Sequence, residues 1–139
     1  VSESQEQKAF VKWVNAQYPD VIIYAIPNGT YLAGTKQRRA SQMNKLKAEG
    51  LVIGMTDLVI AEPRGVYHGF YLEMKDKGKS DKSLSSEQKA MIEWLSFKGY
   101  KSDWAAGFDI AREKMQQYMS QPKLDLSAYC EFMEAIKDI

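Results

Sequence analysis

The sequence predicts a small mixed α/β domain, one sheet with helices on both faces. Three observations lead there. Short β-branched and apolar runs at 21–26, 58–60, 70–75 and 100–106 are separated by stretches of helical period. Glu62-Pro63-Arg64-Gly65 is turn chemistry between two of these runs, which makes them a hairpin. The order that results is α-β-α-β-β-α-β-α-α, helix-separated strands around a central hairpin.

Residues 2–17 form the first helix, capped by Ser2 or Ser4 with glutamates in the first turn, where the helix dipole favours them. Phe10, Val11, Trp13 and Val14 are its apolar face. At about 100° per residue, Glu3 projects near the centre of that face, Gln7 within roughly 40° and Glu6 about 60° to the side. An inward carboxylate calls for a metal, a lysine or a backbone cap as partner; the alternative is a frayed, solvated first turn. Pro19-Asp20 closes the helix, and 21–26 reads as a strand buried on both faces. Pro27-Asn28-Gly29 turns the chain into an irregular loop over 30–35. The next helix runs to about Glu49 with Ala40, Met43, Leu46 and the Lys47 stem inward, and Gly50 stops it.

Gly54 leads into Asp57 and the strand Leu58-Val59-Ile60. On 70–75, alternation turns Phe70, Leu72 and Met74 to a core and Glu73 and Lys75 to the opposite face. Residues 76–83 are a hydrophilic loop beside that strand's end. Ser85 with Gln88 is a capping box opening a helix to Lys98 that buries Met91, Trp94 and Leu95, with Gln88 on the same inner face. Gly99 ends it, 100–106 is a short strand, and a helix runs from 107–109 to about Met119 before Ser120-Gln121-Pro122 breaks it. Residues 126–137 form a last amphipathic helix with Leu126, Tyr129, Phe132, Met133 and Ile136 on one side. Residues 1–120 are expected to be the domain proper, and 121–139 its C-terminal helical extension and an element for dimerisation.

Composition narrows the function classes. The 139 residues are enough for one domain with its own core. No apolar run reaches membrane-spanning length, and the start has no signal-peptide pattern. One Cys, Cys130, excludes an internal disulfide and points to a reducing compartment; with one His it cannot build a zinc site. Net charge is only +1, but it is unevenly spread. Lys36, Arg38, Arg39, Lys45 and Lys47 crowd one segment, five lysines from Lys75 to Lys89 follow the hairpin, and acids gather towards the end. That asymmetry fits a one-sided phosphate-binding surface, or a merely patterned solvated one.

If the hairpin pairs, Asp57, Glu73 and Lys75 converge at one end of the sheet. Two carboxylates are hard oxygen donors suited to Mg²⁺, which takes one or two of them plus water and substrate phosphate. A lysine beside them can help activate water and balance charge on a phosphoryl transition state. E-X-K alone on a strand is equally a solvated face; the Asp at the neighbouring strand's start is what favours chemistry.

These motifs resemble the PD-(D/E)XK nuclease superfamily and, within it, the virus-type replication-repair nuclease (VRR-NUC) domain. The resemblance runs from Glu3 to about Met119. It includes Ser2-Glu3 with Gln7, Ala25-Ile26-Pro27-Asn28-Gly29, Leu46-Lys47-Ala48-Glu49-Gly50 and Gly54-Met55-Thr56-Asp57-Leu58. It continues through Pro63-Arg64-Gly65, Tyr67-His68-Gly69, Tyr71-Leu72-Glu73-Met74-Lys75 and Leu84-Ser85-Ser86-Glu87-Gln88. The resemblance implies a restriction-endonuclease-like fold and a Mg²⁺- or Mn²⁺-dependent endodeoxyribonuclease. Asp57 and Glu73 would hold the metal with the Met74 carbonyl, and Glu3 would complete the acidic site directly or through water. Lys75 would position or activate the nucleophilic water, and Gln88 would support the site. Where the family usually has Pro before the aspartate, this chain has Thr56, which is expected to leave the backbone there less constrained.

The chain resembles the stand-alone phage and bacterial members, which implies a cytoplasmic homodimer in a bacterial or phage-infected cell. That homodimer would act on branched DNA in the manner of a Holliday-junction resolvase. His68, flanked by Tyr67 and Gly69 away from the acids, reads as structural, and Trp13, Trp94 and Trp104 fall at core spacing. Asn28, Thr30, Tyr31, Lys36, Arg39 and Lys47 are candidate DNA contacts. The rivals are a flap, nick or duplex nuclease of the same fold, a non-catalytic DNA-binding subunit of a replication or repair complex, and a protein-interaction domain using the acidic tail.

Overall fold

A computed structural model describes residues 2–27 and 32–139. Helix α1 (Glu3–Gln17) leads to β1 (Ile23–Ala25), α2 (Lys36–Ala48), β2 (Leu58–Ile60) and β3 (Phe70–Lys75). Then come α3 (Ser86–Phe97), β4 (Lys101–Ala106), α4 (Phe108–Met119) and α5 (Ser127–Ile136), with a short 3₁₀ turn at Asp81–Ser83. The predicted element order holds. The four strands lie in chain order, with β1–β2 and β2–β3 antiparallel and β3–β4 parallel. The parallel pair needs a crossover, and α3 provides it.

One face of the sheet carries the core. Phe70, Leu72 and Met74 of β3 and Leu58 and Ile60 of β2 pack against Phe10 and Val14 of α1 and Ala111, Met115 and Tyr118 of α4. Tyr118 is fully buried because its hydroxyl donates to the Glu62 carbonyl at 2.6 Å. By alternation Val59, Tyr71, Glu73 and Lys75 take the other face, over which α3 crosses.

Several expectations are corrected. Strand β1 is short and at the sheet edge, so Ile22 and Tyr24 are exposed and only Val21 is buried. The hairpin reverses at Arg64–Tyr67, whose backbones exchange both hydrogen bonds, one turn later than the proline suggested. Helix α2 buries nothing: Ala40 and Lys47 are exposed, and Met43 and Leu46 are half-buried. It stands on a Thr35 cap and on Lys45 and Lys47 in its last turn. Trp94 is exposed, while Leu95 beside it is buried. On α1 the buried carboxylate is Glu6, not Glu3. Glu6 Oε2 accepts the Phe108 amide at 2.6 Å and so caps α4, whose own N-cap is Gly107 and has no side chain to do it.

Glu6→Ala removes that cap and leaves a buried amide without a partner, with an expected loss of about 1–3 kcal/mol. Urea unfolding checks it, and a variant as stable as the parent would refute the assignment.

Candidate active site

Asp57 sits immediately before β2 and is held at both ends. Its carbonyl accepts the Ile26 amide at 2.8 Å, which extends the β1–β2 ladder by one residue. Its Oδ2 accepts the Met74 amide of β3, also at 2.8 Å. The preceding Thr56 is fully buried, and its hydroxyl reaches the Leu58 carbonyl at 3.4 Å. The backbone before Asp57 is therefore tied down by burial rather than by a proline ring.

Glu73 lies on the face of β3 shared with Asp57 and is 3% exposed. Its Oε1 accepts the Gln88 side-chain amide at 2.9 Å and lies 3.5 Å from Lys75 Nζ. Its Oε2 is buried with no hydrogen-bond partner. Lys75 Nζ donates to Gln88 Oε1 at 3.1 Å, and the same oxygen accepts the Ser85 amide at 2.9 Å. Gln88 is thus the N3 residue of the α3 capping box, closed by its own amide donating to Ser85 Oγ at 3.1 Å. One side chain joins the helix start to both the carboxylate and the ammonium. Capping-box spacing at the start of an inward-facing helix allows either a cap alone or a reach to the lysine as well, and the structure shows both.

Burial, then repulsion from Asp57, pushes the Glu73 carboxyl up to about 8, against the pull of Lys75. Burial also raises Asp57, opposed by the Met74 amide, by the Glu73 carboxyl and by Lys75. Glu3, half-buried on α1, is raised by burial and by repulsion from Asp57, with Lys75 opposing and Asp76 adding. Asp76, directly after the E-X-K triplet, has a buried Oδ1 with no hydrogen-bond partner. Glu73 therefore feels both Asp57 and Glu3 beside the Lys75 ammonium, and Glu3 also feels Asp76. Gln7 is half-buried and lines, with Glu3, a separate surface hollow along α1.

A cavity of about 250 Å³ opens between Asp57, Glu73 and Gln88 on one side and Met43 with residues 51–55 on the other. Gly54 holds that wall in place. Its φ is +86°, and a Cβ there would fall 2.6 Å from the Glu87 backbone. The loop carrying Asp57 and the start of α3 carrying Gln88 can approach only because this residue is glycine.

The donor set can be tested against a metal. Among the described residues no three His, Cys, Asp or Glu side chains converge closely enough to hold an ion between them. Two carboxylates beside an unpartnered buried oxygen fit Mg²⁺ or Mn²⁺ completed by water and phosphate, not a closed protein cage. Met74 is positioned by the amide that Asp57 accepts, and Glu3 is near enough to Asp57 and Lys75 to feel both charges.

Of the candidate DNA contacts, Lys36, Arg39 and Lys47 lie exposed on α2, whose Met43 lines the cavity. Asn28, Thr30 and Tyr31 lie outside the described residues. His68 packs edge-on against Tyr100 with ring centroids 5.4 Å apart, and its amide donates to the Gly99 carbonyl. No described helix is long and apolar enough to cross a membrane.

The chain is similar to a solved structure described as a VRR_NUC domain protein, with 27% identity and a TM-score of 0.71. The match covers 90% of this chain and 93% of that one. No protein-family model and no curated protein matches the chain.

Two outcomes follow from this arrangement. In metal-free protein, folding raises the Glu73 carboxyl from the ordinary range to about 8, so its stabilising proton is present at low pH and lost as pH rises through about 8. With EDTA, Glu73→Gln should therefore melt above the parent near pH 8, and the two should converge at about pH 5, where a free glutamate begins to hold its proton. A gap equal at both pH values would contradict this. Separately, Gly54→Ala should lose about 1–3 kcal/mol through backbone strain and the Glu87 clash, and a urea midpoint unchanged from the parent would contradict the close approach.

Proposed function

We propose that this chain is a divalent-metal-dependent endodeoxyribonuclease; its similarity to a solved VRR_NUC domain protein and its mixed sheet flanked by helices support a nuclease of the PD-(D/E)XK type. The observation that carries the proposal is the convergence of Asp57, Glu73 and Lys75 on one face, with Glu73 Oε2 buried and unpartnered. A domain that only bound DNA would have no use for buried negative charge facing phosphates.

Asp57 and Glu73 would hold Mg²⁺ or Mn²⁺, with the Met74 carbonyl as a third donor and Glu3 acting through water. When bound, the ion would supply Lewis-acid stabilisation of the phosphoryl oxygens and favour ionisation of water. The chain's own groups do the rest. Lys75, held by Gln88 and Glu73, places one fixed positive charge beside the scissile phosphate, where it can orient the attacking water and offset developing charge. Gln88 fixes the spacing between that ammonium and Glu73, so neither must reorganise during reaction. Lys36, Arg39 and Lys47 share α2 with Met43, which lines the cavity, and would track the phosphate backbone.

Branched DNA is the proposed substrate. A homodimer is the proposed working form, because a four-way junction is two-fold and needs two matched cuts. Cleavage of a labelled four-way junction beside flap and linear duplexes tests both. Symmetric nicking in Mg²⁺ or Mn²⁺ is expected. It should be abolished by EDTA and reduced by about a hundredfold or more in Lys75→Ala and Glu73→Ala. Cutting of flaps or duplexes alone would overturn the junction reading, and tight binding without cutting in either metal would overturn the enzyme.

A further inference from the structure

Helix α5 is the most amphipathic helix of the chain, yet none of its residues is buried. Tyr129, Phe132 and Met133 are 60%, 59% and 43% exposed, and Leu124 and Leu126 before them are more than half exposed. A ten-residue helix of this kind is marginal in water without packing. Its stem is fixed all the same: Lys123 bridges to Arg64, and the Gly65 amide donates to the Pro122 carbonyl at 2.8 Å. The helix therefore leaves the domain from an anchored point with its apolar side uncovered.

A second uncovered surface lies on α3. Ala90, Trp94 and Phe97 line a groove of about 420 Å³ together with Glu93. Trp94 is 59% and Phe97 82% exposed, a large contiguous apolar area for a soluble surface. Lys89 and Lys98 border this stripe, with Lys98 Nζ 5.8 Å from the Trp94 ring centre. Glu131 and Glu134 border the apolar side of α5, the second already paired with Lys137. Apolar face and acidic border on one helix thus meet, on the other, an apolar stripe bordered by Lys89 and Lys98, with Glu93 as its one acidic lining residue.

We propose that α5 of one copy docks in the Ala90/Trp94/Phe97 groove of a second copy, and the reverse, giving a two-fold exchanged dimer. Both surfaces stay open within the same chain, so α5 does not close on its own groove, and one molecular species carries both halves of the contact. The area is also right. At roughly 150–250 Å² per aromatic side chain, the more than half exposed Trp94, Phe97, Tyr129 and Phe132, with smaller additions from Met133 and the two leucines, offer on the order of 800 Å² per copy. Two copies together would then bury about 1,600 Å², within the range of specific, stable interfaces. Two equivalent contacts related by a two-fold axis close the assembly and leave no surface for further addition. The pairing supplies the interface for the homodimer of the functional proposal, and its test does not use the nuclease reaction.

The test is light scattering on the full-length chain, with circular dichroism to confirm folding. The parent should be a dimer. Trp94→Glu and Phe132→Glu should each be monomeric, since both positions are solvent-facing in the single chain. Mixing the two variants should restore association at higher concentration, because one intact α5 then meets one intact groove; capture of the untagged variant by the tagged one reads this. A monomeric parent overturns both this pairing and the dimeric part of the functional proposal. A dimeric parent that persists in Trp94→Glu but is lost in Phe132→Glu overturns only the groove, in favour of α5 pairing with α5. Variants that do not associate on mixing overturn the exchange.

Discussion

The hydrogen bond from the Met74 amide to the Asp57 carboxylate is the constraint on which the site depends. It joins the residue before β2 to the middle of the Glu73-Met74-Lys75 triplet on β3, so strand register and charge placement become the same fact. Leu58 opposite Leu72 sets that register, and the apolar side chains of both strands enforce it by entering one core. A one-residue slip would send Glu73 and Lys75 into that core and Met74 out to water. The packing that makes the sheet stable therefore also aims the acids.

What the arrangement gives up in stability is visible in the same residues. Glu73 is buried beside the half-buried Asp57, one of its oxygens is left unpaired, and Lys75 Nζ lies 3.5 Å from the other. Such a cluster survives because the opposite face of the sheet is fully packed and because Gln88 satisfies one oxygen of Glu73 and part of the Lys75 ammonium. On the proposed metal-dependent reading, this is the ordinary opposition between stability and function.

Much of this was legible from residue order. Alternation placed Asp57, Glu73 and Lys75 together, and the S-X-X-Q pattern placed Gln88 at a helix start on the inner side. The failures have physical causes. The helical-wheel reading of α1 set Glu3 at the centre and Glu6 to the side, because it had no knowledge of the α4 amide that draws Glu6 inward. Thr56 read as a loss of constraint, whereas burial supplies the constraint a proline would have given. Trp94 read as core, because hydrophobicity at helical spacing does not distinguish a face turned to the sheet from a face turned outward. Gly54 was read only as a lead into Asp57; its close approach to Glu87 lies in tertiary space.

Helices α2 and α5 show the same point from opposite sides. Neither buries a residue, so the core explains neither. A helix polar all round, held by a cap and dipole-favourable lysines, adds positive potential beside a cavity lined with acids, without competing for the core. On the proposed function, that potential would offset the repulsion of phosphates by Asp57, Glu73, Glu3 and Asp76. A helix apolar along one side, by contrast, raises the free energy of the single chain, and only a surface that covers it offsets that. The fold thus divides its labour by charge. The α2 side brings positive charge beside the acids, and the α3 and α5 sides leave hydrophobic area uncovered within the single chain.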